Sequence, residues 1–230
     1  MAWYYGSDGS TSGFPTCKGA EPPFYIGRIG AGTGGFENRE FNVATANAAA
    51  PPQTFGYWDL EGPGNTPGSM TNTQWGTAQA QAFVEAWQTG AYCEYVGGRT
   101  FFLDSESGNS GWNVGTETDR QEILIGALDY LSNVDNVINE PGAAGVYTSP
   151  DTWTSFFGSY TSPYPFVFWY AGTDSPDCTQ AQTQFSTYPQ ASVGGWKTMI
   201  WQFQASNATD FDITPYEGYW LNGYWKPVQA

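Results

Sequence analysis

The sequence predicts an α/β fold, a closed parallel barrel whose outer ring of helices is incomplete. Three observations carry this expectation. Short apolar, aromatic-rich runs recur eight times along the chain. Several are continuously hydrophobic, as strands buried on both faces of a parallel sheet must be. Helical segments separate the early runs, and parallel strands need such crossovers. Eight strands in 230 residues fit a closed barrel better than an open doubly wound sheet. Gly and Pro are spread throughout and no linker divides the chain, so residues 1–230 read as a single domain.

Each element follows from its residues. The first strand is expected over Trp3 to Asp8 and the second over Phe24 to Arg28, followed by a loop, Gly30 to Gly35. That loop lacks the Lys-Ser/Thr of a phosphate cradle and reads as a flexible turn. A helix over Arg39 to Ala50, with Phe41 and repeated alanines, leads to a strand over Thr54 to Asp59. Thr73 to Thr89 sets Trp75, Ala78, Ala82, Phe83, Ala86 and Trp87 on one helical stripe and is closed by Gly90. After the strand Thr100 to Asp104, a helix over Thr116 to Leu131 opens with Glu117 and Asp119, whose charges suit a helix N-terminus. Its buried side is expected to carry Ile123, Leu124, Ala127, Leu128 and Leu131. Strands follow at Ala144 to Thr148, Phe166 to Ala171, Met199 to Gln204 and Phe211 to Ile213, with short helices only at Ser149 to Phe157 and Thr179 to Phe185.

Composition removes whole classes of function. Acidic residues number 22 against 7 basic, a net charge of −15, and the seven bases are scattered singly. No patch for nucleic acid or an anionic membrane can be built from them. The chain has no histidine, which excludes Ser-His-Asp and Cys-His catalysis and His-ligated zinc. Cys17, Cys93 and Cys178 lack metal-ligand spacing and allow at most one disulfide. No metal and no cofactor is expected, and carboxylates remain to do chemistry. Only 13% of residues are charged, so Ser, Thr, Asn, Gln, Gly and Tyr must cover the surface. Such a surface gains little positive charge when its carboxylates protonate, and acid tolerance is expected. No run reaches the roughly 18 apolar residues of a membrane helix, and no signal peptide is visible. Low charge and a possible disulfide favour a secreted, extracellular protein, expected to act as a monomer.

The carboxylates fall where a barrel would use them. In parallel barrels the carboxyl ends of the strands form the active-site mouth. Asp104 and Glu106 follow the strand Thr100 to Asp104, and two-residue spacing projects both to one side, roughly 7 Å apart along the chain. One can stay ionised while the other, desolvated by neighbours such as Trp112, stays protonated, as general-acid glycoside hydrolysis requires. Asp8 ends the first strand and Asp212 lies in the last, and these strands become neighbours on closure, so all four acids are expected to converge. Asp8 also suits a turn or cap, and the Asp59/Glu61 pair suits a sugar subsite, a calcium site or a turn. The aromatics Tyr57, Trp58, Trp112, Tyr147, Trp169, Tyr170 and Trp201 are candidates for sugar stacking or for core. Strand alternation lets only one of Trp169 and Tyr170 face the barrel interior, and Trp169 is the expected one.

The order of these motifs resembles that of the family 25 glycoside hydrolases, lysozymes that cleave the bond between muramic acid and glucosamine in peptidoglycan. The resemblance runs through Ser7-Asp8-Gly9-Ser10, Phe24-Tyr25-Ile26-Gly27-Arg28, Phe55-Gly56-Tyr57, Asp104-Ser105-Glu106 and Gly145-Val146-Tyr147-Thr148-Ser149. It continues through Phe168-Trp169-Tyr170-Ala171, Trp201-Gln202-Phe203 and Phe211-Asp212-Ile213, and so spans nearly the whole chain. It implies an irregular TIM-like barrel of eight strands and about five helices, with Glu106 as general acid and Asp104 as a stabilising or assisting carboxylate. Asp8 and Asp212 would shape the sugar site, with Tyr57, Trp58, Asp59, Glu61, Tyr147, Trp169, Trp201 and Gln202 as substrate-binding candidates. The family's aromatic-His-aromatic run on the third strand is replaced by Tyr57-Trp58-Asp59. The expected function is a secreted, acid-tolerant N-acetylmuramidase acting on peptidoglycan. A catalytically silent carbohydrate-binding barrel and a glycosidase for another polysaccharide are the alternatives.

Overall fold

The computed structural model describes residues 4–8, 24–35, 54–91, 99–133, 143–172, 178–185, 192–204 and 210–214. The strands are β1 (Tyr4–Asp8), β2 (Phe24–Ala31), β3 (Thr54–Asp59), β4 (Thr100–Asp104), β5 (Ala143–Thr148), β6 (Val167–Ala171), β7 (Ser192–Val193), β8 (Trp196–Gln204) and β9 (Asp210–Thr214). The helices are α1 (Asn72–Ala86), α2 (Glu117–Ser132), α3 (Pro150–Phe157) and α4 (Cys178–Phe185). These four α-helices compare with about five expected, and the one expected over Arg39 to Ala50 falls outside the described residues, as do Cys17 and Cys93.

β1 to β6 pair in sequence, all parallel, and β6 pairs parallel with β8. β9 runs antiparallel between β8 and β1 and completes a ring of pairings. β7 adds a two-residue hairpin on the start of β8. β2 continues through Gly30 and Ala31, where a loop was expected. A register shift between Arg28 and Gly30 absorbs the irregularity, and the Trp58 indole N–H donates to Gly32 O at 3.0 Å, pinning the strand's exit. β8 likewise begins at Trp196, ahead of the expected Met199, because its first residues pair with β7.

Alternation along the strands sorts the side chains into two cores. Phe24, Ile26, Phe55, Phe102, Tyr147, Val167, Trp169, Met199 and Ile200 fill the barrel interior. Their neighbours Tyr25, Trp58, Phe101, Leu103, Val146 and Phe168 point outward and pack under α1, α2 and α3. Both long helices start at a capping box: Thr71 with Gln74, and Thr116 with Asp119. Each box satisfies two backbone donors that a helix start leaves open. α1 runs on into a single π-helical turn, Trp87–Ala91, which takes in the Gly90 expected to close it. α1 and α2 cross at Gly76 and Gly126, where any Cβ would collide with the carbonyl of Ile123 or Thr73 on the other helix.

Candidate active site

The parity that buries Phe102 inside the barrel also turns Asp104, two residues on, toward the interior at the carboxyl end of β4. Asp8 reaches the same level from β1, and Tyr57, Tyr147, Trp169 and Gln202 do so from β3, β5, β6 and β8. Together with Glu106 from the loop after β4 they line a cavity of about 120 Å³. An open cleft of about 420 Å³ adjoins it. The two share Glu106, Tyr147 and Gln202, and Ser149, Pro150, Asp151, Tyr170, Ala171 and Gly172 form the rest of the cleft wall.

Hydrogen bonds fix this arrangement. The Tyr147 hydroxyl donates to Gln202 Oε1 at 2.6 Å, which leaves Gln202 Nε2 to donate to both Asp8 oxygens at 3.2 Å. Asp8 is therefore held as an acceptor. The Trp169 indole N–H donates to Asp212 Oδ1 at 2.7 Å. Asp104 Oδ1 and its backbone carbonyl both accept from Asn109 Nδ2, at 3.2 and 2.8 Å. The loop after β4 is laced to its surroundings by Leu60 N–H to Asp104 O, Gly62 N–H to Ser110 O and Ser105 N–H to Tyr147 O.

The electrostatics are those of crowded acids. Burial, then repulsion from Glu106 and Asp59, raise the Asp104 carboxyl well above the usual carboxylate range, while the Asn109 bond pulls the other way. Burial also raises Tyr57 and Tyr147, helped by Asp8 and Glu106 respectively, so both remain neutral phenols. Asp59 is tied to Arg28 by a 2.8 Å ion pair. Among the described residues, no group of three or more acidic or Cys side chains is placed to hold a metal ion.

Of the expected site residues, Glu106, Asp104, Asp8, Tyr57, Tyr147, Trp169 and Gln202 line the one cavity. Asp212 does not line it. It is fully buried opposite Gly6 on β1, one interior layer below Asp8, and its Oδ1 accepts from the Trp169 indole. Trp58 and Trp201 are also removed from the cavity: alternation directs Trp58 outward onto Phe83, and Trp201 packs against Phe185 and Phe203. Trp112, expected to desolvate the acid pair, stacks on Phe156 and donates to Leu60 O in the outer core. Tyr57 and Tyr147 border the acids in its place. Asp59 stays beside the site through Arg28, whereas Glu61 is turned to Gly32 with its backbone clasped by Gln79. Trp169 faces the interior as expected, but it is 1% exposed among Tyr57, Phe102 and Tyr147, so it floors the cavity and offers no open stacking face. Tyr170, on the other side of β6, reaches the cleft. Asn109, Ser149, Pro150 and Asp151 were not among the expected residues. Their signal is position alone, since each lies just beyond the carboxyl end of a barrel strand.

The fold defined by this ring is that of the family GH25 lysozymes. The lysozyme of that family from Aspergillus fumigatus superposes with a TM-score of 0.59 at 15% identity, over 93% of this chain and 94% of that one. A bacterial lysozyme from Streptomyces coelicolor gives 0.55 at 15% identity, over 92% of each chain. The catalytic domain of an endolysin from a bacteriophage of Listeria monocytogenes gives 0.54 at 13%, also over 92% of each. By sequence, the chain matches no protein-family model and no curated protein.

Proposed function

We propose that this protein is a glycoside hydrolase of the muramidase type, cleaving the β-1,4 bond between N-acetylmuramic acid and N-acetylglucosamine in peptidoglycan. The observation that carries the reading is the meeting of Asp8, Asp104 and Glu106 in one small cavity at the carboxyl ends of the strands, opening onto a cleft large enough for a glycan. The likeness in fold to lysozymes supports it. Glu106, on the wall shared by cavity and cleft, is the general acid that protonates the leaving glycosidic oxygen. Asp104, deeper and desolvated, is the assisting carboxylate. Two neighbouring carboxyls repel as anions and so hold one proton between them over the acid range. In the productive state that proton sits on Glu106. Ionised Asp104 then accepts the N–H of the substrate's acetamido group, whose carbonyl oxygen attacks the anomeric carbon, as in substrate-assisted glycosidases. Its high proton affinity suits it to that task. Water, deprotonated by Glu106, completes the hydrolysis with retained configuration. Asp8 and Gln202 shape the sugar pocket, and Tyr170 and Asp151 border the cleft.

Reducing-end release from purified peptidoglycan, followed between pH 2 and 7, tests the assignment. The parent is expected to release sugar with a bell-shaped profile, falling at low pH when both carboxyls are protonated and at high pH when both are ionised. Glu106→Gln should lower the rate about 10²–10⁴-fold. No release by a folded parent would turn the reading to a carbohydrate-binding barrel or to another polysaccharide, and a product of inverted configuration would sink the substrate-assisted step. Secretion and tolerance of acid belong to the same proposal. They are supported by the sparse charge and the absence, among the described residues, of any helix long and apolar enough to cross a membrane.

A further inference from the structure

The loop after β4 carries a residue that touches both the strand end and its carboxylate. Asn109 N–H donates to Glu106 O at 3.1 Å, closing a four-residue turn over Glu106-Ser107-Gly108-Asn109. The turn returns the Asn109 amide to the end of β4, where Nδ2 donates to Asp104 O at 2.8 Å and to Asp104 Oδ1 at 3.2 Å. The orientation of the amide is dictated, because a backbone carbonyl can only accept. One residue thus binds, through its side chain, the residue proposed to assist and closes, through its backbone N–H, the turn that carries the residue proposed as acid.

We infer that Asn109 is a positioning residue of this site, fixing the spacing of the Asp104 and Glu106 carboxyls and presenting Asp104 as the acceptor of the pair. The inference rests on the muramidase reading above. A hydrogen bond to an ionised carboxylate favours the ionised form, so Asn109 offsets part of the rise in Asp104's proton affinity and eases release of the shared proton toward Glu106, where the leaving group needs it. Among the described residues, every other titratable group near Asp104 opposes this or leaves it unchanged. Asp8 from β1, Asp59 from β3 and Glu106 from the same loop raise the proton affinity of Asp104, Tyr57 from β3 and Tyr147 from β5 are neutral, and Arg28 from β2 is committed to Asp59. Asn109 is the side chain whose hydrogen bond pulls the other way.

The test compares the parent with Asn109→Ala and Asn109→Asp. Alanine removes the amide donor and adds no charge, whereas aspartate keeps the size and the turn-forming habit of asparagine but replaces the donor by a second carboxylate, so its shift adds repulsion to the lost bond. In both variants the acid limb of the kcat profile on peptidoglycan should move to higher pH, with kcat about tenfold lower for a lost charge-assisted bond and KM little changed. The Asp104 carboxyl resonance, followed by ¹³C NMR, should titrate at higher pH in both, and this readout does not depend on turnover. An unmoved Asp104 titration in folded Asn109→Ala, which removes the donor without adding a charge, would overturn the inference whatever the activity. A parent that fails to turn over peptidoglycan while Asp104 still titrates higher in the variants would overturn the muramidase reading and leave the control of Asp104 by Asn109 standing.

Discussion

Asp104 is the side chain at which site chemistry and stability oppose each other. Its carboxyl is raised in the folded protein by burial and by Glu106, so the folded state binds its proton more tightly than the unfolded chain does. The stability that Asp104 contributes is therefore fully present below the unfolded carboxyl value of about 4 and is lost as pH rises toward the folded one. Asp104→Asn removes the buried charge while keeping the shape. It should raise the melting temperature at pH 7 by roughly 2–4 °C for each kcal/mol regained, with the difference closing near pH 4, as calorimetry would show. A variant less stable than the parent at pH 7 would mean that the site holds the anion more comfortably than its neighbours suggest. The Trp169 indole illustrates the opposite case, a polar contact that supports the core. Trp169→Phe deletes the 2.7 Å donor to fully buried Asp212 and should cost roughly 1–3 kcal/mol in urea unfolding. The same substitution with no loss would make Asp212 indifferent to its partner.

At the scale of elements, the close crossing of α1 and α2 depends on two glycines. Gly76→Ala and Gly126→Ala each place a methyl group against a backbone carbonyl that cannot rotate away, so each should cost roughly 1–3 kcal/mol or more by forcing the helices apart. A circular-dichroism melt measures the loss, and an unchanged midpoint would show that the helices slide freely. These helices were legible in the sequence because their first turns and apolar stripes are local. In α2 Glu117 and Asp119 form the expected acidic first turn and Ile123, Leu124, Ala127, Leu128 and Leu131 the expected buried side. In α1 Trp75, Phe83 and Ala86 are buried as expected, but Gln79, Ala80 and Val84 take the places given to Ala78 and Ala82. The strand parity was legible for the same reason, since Phe102 fixes Asp104 and Tyr57 fixes its outward neighbour Trp58 once one face is known. Parity admits one residue of each adjacent pair, yet Tyr57 with Trp58 and Trp201 with Gln202 were all among the expected binding residues, and only Tyr57 and Gln202 reach the cavity. The extension of β2 comes from pairing with β3 across the chain and no local pattern announces it, whereas the β7 hairpin around Gly194-Gly195 and the turn that returns Asn109 to Asp104 are local features absent from the sequence expectations.

For the whole molecule, the charge balance decides how stability follows pH and salt. With 22 acidic and 7 basic residues, the folded chain at pH 7 holds a net −15 in a small volume, and compactness works against that repulsion. The local shifts do not all agree in sign. Asp104 favours acid conditions, whereas Asp119, lowered by its bonds to Thr116 at the start of α2, contributes stability above the unfolded carboxyl value. Asp119 is partly exposed and its contribution is screened by water, while Asp104 is buried and the net charge is global, so the acid-favouring effects win. The melting temperature should therefore peak on the acid side, near pH 5, where part of the net charge has been neutralised. There, too, the many neutral polar residues leave little positive charge to repel. At pH 7, raising ionic strength from about 0.01 M to 0.15 M shortens the Debye length from about 30 to 8 Å and should raise the melting temperature, with a much smaller effect at pH 4. Differential scanning calorimetry on that grid of pH and salt distinguishes the outcomes. A maximum above pH 7, insensitive to salt, would mean that specific ion pairs such as Arg28 with Asp59 outweigh the general repulsion.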